Sequence, residues 1–184
     1  METLTPQAST GLAALAGKYL TFVLSGECFG IPVLKVREII RPTAIAAVPQ
    51  MPHYIKGVIN LRGKIIPVID LCAKFNMRQV DSTESACIVV VEVRGRKGVS
   101  IQLGLMVDAV EEVGNFTSGD IEATPDFGTA VDTTCIMAMV KSKGTVKTLL
   151  DIDRAVSDFS FSDESLSPSG VEPGQEPSHS VPTL

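Results

Sequence analysis

The sequence predicts an all-β protein with a few short helices, made of two related units that share one hydrophobic core. Three observations point there. Apolar residues make up 45% of the 184-residue chain but aromatics only 5%, with no Trp, so the core must be built of Val, Ile, Leu and Ala, a strand-leaning set. Short apolar runs are separated by Gly-bearing turns at hairpin spacing. Two blocks of sequence recur in the same order.

Residues 1–17 are expected to be a flexible N-terminal segment, in which Leu12, Ala13, Ala14 and Leu15 can form one helical turn on docking. Tyr19 to Leu24 reads as a strand, and Ser25-Gly26-Glu27 turns it into a second, Cys28 to Val33. Val33, Val36 and Ile40 fall at helical spacing, so a short helix is expected there, ended by Pro42. Val58 to Arg62 and Lys64 to Ile69 make a hairpin around Gly63. Asp70 and Asp151 each stand where an N-cap would open a brief helix. Cys87 to Val93 and Val99 to Val107 flank a Gly95/Gly98 turn solvated by Arg94, Arg96 and Lys97. In the later strand Val99, Ile101, Leu103, Leu105 and Val107 share one face, opposite Ser100 and Gln102, the alternation of a half-buried antiparallel strand.

The repeat is the most informative feature. Gly30-Ile31-x4-Val36-x-Glu38-Ile39 matches Gly104-Leu105-x4-Val110-x-Glu112-Val113. Ile59-x2-Arg62-Gly63-x-Ile65-x2-Val68-Ile69-Asp70-Leu71 matches Val140-x2-Lys143-Gly144-x-Val146-x2-Leu149-Leu150-Asp151-Ile152. The folded region 18–157 therefore divides into units of about 18–80 and 84–157. Each is too short to hold a core alone, so the two are expected to share one.

Charge separates a body from a tail. The formal net charge is −5, and the excess acids (Asp158, Asp163, Glu164, Glu172, Glu176) all follow residue 157, leaving the body neutral. A neutral body lacks the clustered basic excess that nucleic acid requires. Residues 158–184 are rich in Ser, Pro and acid and are expected to be a disordered tail. No apolar run exceeds six residues, as in Ala86 to Val91, against the roughly 20 of a membrane helix. With no secretory signal in view, a cytoplasmic protein is expected.

A search for chemistry finds no active site. His53 is the one histidine of the folded region, and neither G-x-S-x-G nor a phosphate-cradling glycine pattern occurs. Glu111-Glu112 reads as a solvent face and Asp151/Asp153 as a helix start. Cys28, Cys72, Cys87 and Cys135 lack the paired spacing of zinc ligands and are expected to be small buried hydrophobes, with no metal and no cofactor. A small β-barrel enzyme is accordingly disfavoured. Alternation puts Asn60 and Arg62 on one face of their strand, either serving the hairpin or forming part of a recognition surface.

The strings Gly30-Ile-Pro-Val-Leu-Lys-Val-Arg-Glu-Ile39 and Pro52-His-Tyr-Ile-Lys-Gly-Val-Ile-Asn-Leu-Arg-Gly-Lys-Ile-Ile-Pro-Val-Ile-Asp-Leu71, continued by Gly104 to Val113 and Leu149 to Asp153, resemble the CheW family of chemotaxis coupling proteins. The resemblance covers about residues 19–156 and implies two intertwined five-stranded SH3-like barrels around a shared core. It implies a non-catalytic adaptor, monomeric when isolated. Such an adaptor joins the regulatory domain of a CheA-type histidine kinase to the cytoplasmic tip of chemoreceptors, in arrays at the inner membrane. An adaptor of the same fold serving pilus-driven motility or surface sensing is the alternative. Carried over by motif, the receptor-binding residues are Val36, Glu38, Ile39, Asn60, Leu61, Arg62, Gly63 and, from the second unit, Val113. For Val36, Ile39 and Val113 a core role competes with partner contact. The Arg94 to Val99 turn and the acidic tail are longer than in shorter family members.

Overall fold

Among the residues described by the computed structural model (11–78, 84–95, 98–126 and 133–158), eleven strands pair into two sheets. In chain order they are β1 (Gly17–Leu24), β2 (Glu27–Pro32), β3 (Val36–Ile40), β4 (Ile55–Leu61), β5 (Lys64–Asp70), β6 (Cys87–Arg94), β7 (Ser100–Val107), β8 (Ala109–Phe116), β9 (Ile121–Glu122), β10 (Ile136–Ser142) and β11 (Thr145–Leu150). A 3-10 turn spans Val33–Lys35, and two one-turn helices, α1 (Leu71–Lys74) and α2 (Ile152–Ala155), follow β5 and β11. The expected acidic tail, apart from Asp158, lies outside the described residues, as do Arg96 and Lys97.

The sheets run β8-β1-β2-β11-β10-β9 and β3-β6-β7-β5-β4, so each combines strands from both sequence units. The exchange is reciprocal. Hairpin β1-β2 of the first unit completes a sheet whose other strands belong to the second, and hairpin β6-β7 does the converse. Register repeats as well: the parallel pairing Val68↔Gly104 in one sheet corresponds to Leu149↔Gly30 in the other. Gly30 and Gly104 are the matched glycines of the repeat, and a Cβ on either would stand 3.0 Å or less from a neighbouring side chain. The expectation of five strands per barrel meets one addition, the two-residue β9 on the edge of the first sheet.

Three apolar clusters result. Leu20, Phe22, Leu24 and Ile31 pack with Val89, Val91, Leu103 and Leu105 into a shared core joining the two sheets. Tyr19, Phe116, Ala138, Val140 and Leu149 form a second cluster, which the half-buried Leu12 and Leu15 of the N-terminal turn join. Ile59, Ile66, Val68, Ile88 and Val90 form the third. Burial of this much aliphatic surface, at about 25 cal/mol per Å², is the main favourable contribution to folding.

The one-turn helices start where expected. Asp70 accepts from the Ala73 N–H at 3.0 Å and Asp151 from the Arg154 N–H at 3.2 Å, the N-cap pattern. The helix expected over Val33–Ile40 is not formed. Only Val33–Lys35 turns, and Val36–Ile40 is a strand paired with β6, Val36 opposite Val91 and Ile39 opposite Val89. β-branched Val36, Ile39 and Ile40 fit the ladder better than a helix, and the pairing decides it. The cysteines also need correcting. Cys72 is buried, but Cys28, Cys87 and Cys135 are half-buried.

Candidate docking site

The β4-β5 hairpin turns through Arg62 and Gly63 at φ of 53° and 81°, a two-residue turn with both centres left-handed. Gly63 takes that conformation freely, while Arg62 adopts it because a two-residue turn of this type requires it at both centres. Asn60 serves the turn, its Oδ1 accepting from the Gly63 N–H at 2.9 Å. The turn thus projects Arg62 outward, with its side chain 77% exposed.

Arg62 meets Glu38 of β3 in a two-pronged ion pair, Nη1 to Oε1 and Nη2 to Oε2, both 2.9 Å. β3 and β4 are the first and last strands of their sheet, and the ion pair bridges these two edges. Ile39, the next residue along β3, and Ile65, near the start of β5, are exposed at 46% and 44%. Large exposed aliphatics next to a planar, bidentate charge pair suit a protein partner: apolar anchors with a polar register pin.

The second unit repeats this site. Lys143 and Gly144 turn the β10-β11 hairpin at φ of 50° and 77°, and Lys143 Nζ meets both carboxylate oxygens of Glu112 at 2.8 Å. Val113 and Val146, the counterparts of Ile39 and Ile65, are 53% and 56% exposed. Four of the seven large exposed hydrophobics among the described residues are these two pairs.

The copies differ beneath the surface. Where the five-stranded sheet has Ile66 buried beside Val90, the six-stranded sheet has Lys147, 4% exposed, and Thr21, fully buried. Lys147 Nζ donates to Glu111 at 2.8 Å and to the Thr21 hydroxyl at 3.4 Å. Its ammonium holds the Glu111 carboxyl below the usual range, against partial burial that pushes it up.

Residues 18–160 match the CheW-like domain family. This chain belongs to the CheW family. It is 32% identical over 140 residues to the chemotaxis protein CheW of Klebsiella aerogenes, covering 76% of this chain and 81% of that one. The crystal structure of the scaffolding protein TtCheW from Thermoanaerobacter tengcongensis superposes with a TM-score of 0.67 at 32% identity, covering 77% of this chain and 92% of that one. A more distant relative is the protein PilI of Pseudomonas aeruginosa, 28% identical over 48% of this chain and 47% of its own length. The fold is thus that of a CheW scaffold, and the chain is a non-catalytic chemotaxis scaffold.

Within this CheW fold the residues singled out by motif divide. Glu38, Ile39, Asn60, Arg62 and Gly63 cluster at the barrel seam. Leu61 is half-buried against the third cluster, and Val36 is half-buried against the shared core. Val113 is not with them; it lies on β8 of the other sheet, beside Glu112. Sequence reasoning missed Lys143, Val146 and Lys147. The repeat alignment already placed Lys143 opposite Arg62 and Val146 opposite Ile65, so the signal for two of them was present. His53 is exposed, its ring nitrogen 3.1 Å from the Ala73 carbonyl. Among the described residues no group of three or more His, Cys, Asp or Glu could hold a metal, and no helix is long and apolar enough to cross a membrane.

Proposed function

We propose that this chain couples the cytoplasmic tip of transmembrane chemoreceptors to the regulatory domain of a CheA-type histidine kinase. The exposed Glu38–Arg62 pair flanked by exposed Ile39 and Ile65 carries this reading, because it lies on the residues that the CheW motif assigns to receptor contact. A helical tip would set its apolar ridge on Ile39 and take its register from Glu38, Asn60 and Arg62, with Leu61 and Gly63 shaping the turn and Val36 supporting β3 from below. Val113, on the second face, contacts a partner separately. The unit that does this work is 18–157, with 1–17 and 158–184 as appended segments. It acts in the cytoplasm as a monomer when isolated, reaching the membrane only through receptors and binding no nucleic acid.

The similarity to PilI favours one other reading, an adaptor of the same fold in another chemosensory pathway. Co-precipitation of the full chain with a kinase regulatory domain and with receptor signalling fragments, from both kinds of pathway, separates the two. Capture of both a chemotaxis kinase and its receptor fragment is the expected result. Capture of neither overturns the coupling role, and capture only of the other pathway's components transfers it there.

A further inference from the structure

A cleft of about 630 Å³ opens against the shared core, between the C-terminal end of α1 and the β10-β11 hairpin. Its apolar lining includes Phe29, Phe75, Ile136 and Leu150. Phe22, Phe29 and Phe75 stack in file, with ring centroids 6.2 and 6.3 Å apart, so the aromatic file that begins in the core ends half-buried in the cleft. Half-buried rings facing an open cleft call for something to cover them.

The chain itself leads there. Asp158, the last described residue, lines the same cleft. Its carboxylate is clamped by Lys74 Nζ at 2.5 Å and by the Tyr54 hydroxyl at 3.0 Å. Lys74 is itself largely buried, its side chain 12% exposed and its ammonium 4.2 Å from the centre of the Tyr54 ring. A cation already desolvated against an aromatic face is an unusual partner for a residue that merely begins a tail. It fixes where the chain leaves the barrels.

The next residues are Phe159-Ser160-Phe161, and these two are the only aromatics after residue 158. In extended chain, alternate residues face the same way, so both rings can point into the cleft together. Three residues reach at most about 10 Å, which keeps both rings within the cleft's neighbourhood. An apolar cavity of about 150 Å³ admits a benzene, so this one has room for two rings. We propose that Phe159 and Phe161 dock in this cleft, with Asp158 as the pin.

Cys135, half-buried and not in a disulfide, also lines the cleft and provides the test. In a Phe161→Cys variant of the full chain, mild oxidation should join the new thiol to Cys135 within one chain, as read by peptide mapping of the monomer. A Val171→Cys control should cross-link at least tenfold more slowly. Equal rates in the two variants would overturn the proposal. A disulfide formed only between chains, rising with protein concentration, would overturn it in favour of a second copy as occupant. As an independent readout, Phe159→Ser with Phe161→Ser should lower the melting temperature by about 5 °C, while ending the chain after residue 162 should not. Equal melting temperatures for all three proteins would also count against docking.

Discussion

At the scale of single residues, the sharpest contrast is between two lysines and an arginine. Arg62 sits in an ion pair that is mostly exposed, and such pairs contribute about 0–1 kcal/mol. Lys147 sits in one that is not: its side chain is 5% exposed. Either Lys147→Ala or Lys147→Met leaves the Glu111 carboxylate without its ammonium, but Met refills the buried volume of the lysine stem whereas Ala leaves a cavity. Lys147→Ala is therefore expected to cost about 2 kcal/mol, since Glu111 is open enough to rehydrate, and Lys147→Met less than about 1 kcal/mol; urea unfolding of both variants checks the order. Lys143→Ala, on the surface, is expected to be near neutral. The pH profile follows from the same contacts. Lys147 holds Glu111 below the usual carboxylate range, and Asp153, which burial alone would raise, is brought below it by the Lys35 ammonium and the Arg94 N–H. Carboxylates depressed in the folded state stabilise it above their unfolded values and stop doing so as pH falls through the folded ones. The melting temperature should be flat from pH 7 to about 5 and fall at lower pH, less steeply in Lys147→Met. At the alkaline end the Cys72 thiol, pushed up to about 11 chiefly by burial, should resist alkylation at pH 8 in the native protein.

At the scale of elements, the hairpins and their caps were legible because each is specified locally. Gly63 and Gly144 mark the turns, and Asp70 and Asp151 mark the helix starts, at equivalent places in the two units. Val33–Ile40 was misleading because its apolar spacing fits a helix, while its state is set by β6, about 50 residues away in sequence. Gly57 shows a constraint the sequence string contains without explaining. At φ 140° it lets β4 pass under the Ala46 carbonyl, and a Cβ there would stand 2.1 Å from that oxygen. Ala46 and Val58 exchange both backbone hydrogen bonds at 2.9 Å across this approach. Gly57→Ala is expected to cost more than about 2 kcal/mol and to loosen the 41–54 connection that Ala46 pins to β4, visible as faster amide exchange at Ala46 and Val58.

At the scale of the whole molecule, the repeat foretold two related units and a shared core, but not that each sheet would take its hairpin from the other unit. Local pattern carries no record of which equivalent strand a hairpin will choose. The matched registers at Gly30 and Gly104, with the parallel strand orders β8-β1-β2-β11-β10 and β3-β6-β7-β5-β4, show that the exchange occurs the same way in both sheets. Because both sheets need both halves, neither unit can melt alone, and denaturant titration should give one transition by every probe. Two separated transitions would contradict the exchange. The same arrangement explains why the docking site was only half readable: motif named Glu38 and Arg62, but their meeting depends on the two edge strands of the sheet coming together, and Val113 belongs to the second face, on the other sheet. On the proposed function, the Glu38–Arg62 seam recognises a partner rather than holding the barrel shut. The direct measurement is thermal stability and receptor-fragment affinity on one sample of Arg62→Ala. A seam built for recognition predicts stability within about 0.5 kcal/mol of the unaltered protein and affinity at least tenfold weaker, about 1.4 kcal/mol. Affinity that survives, or that falls only in step with lost stability, would contradict it.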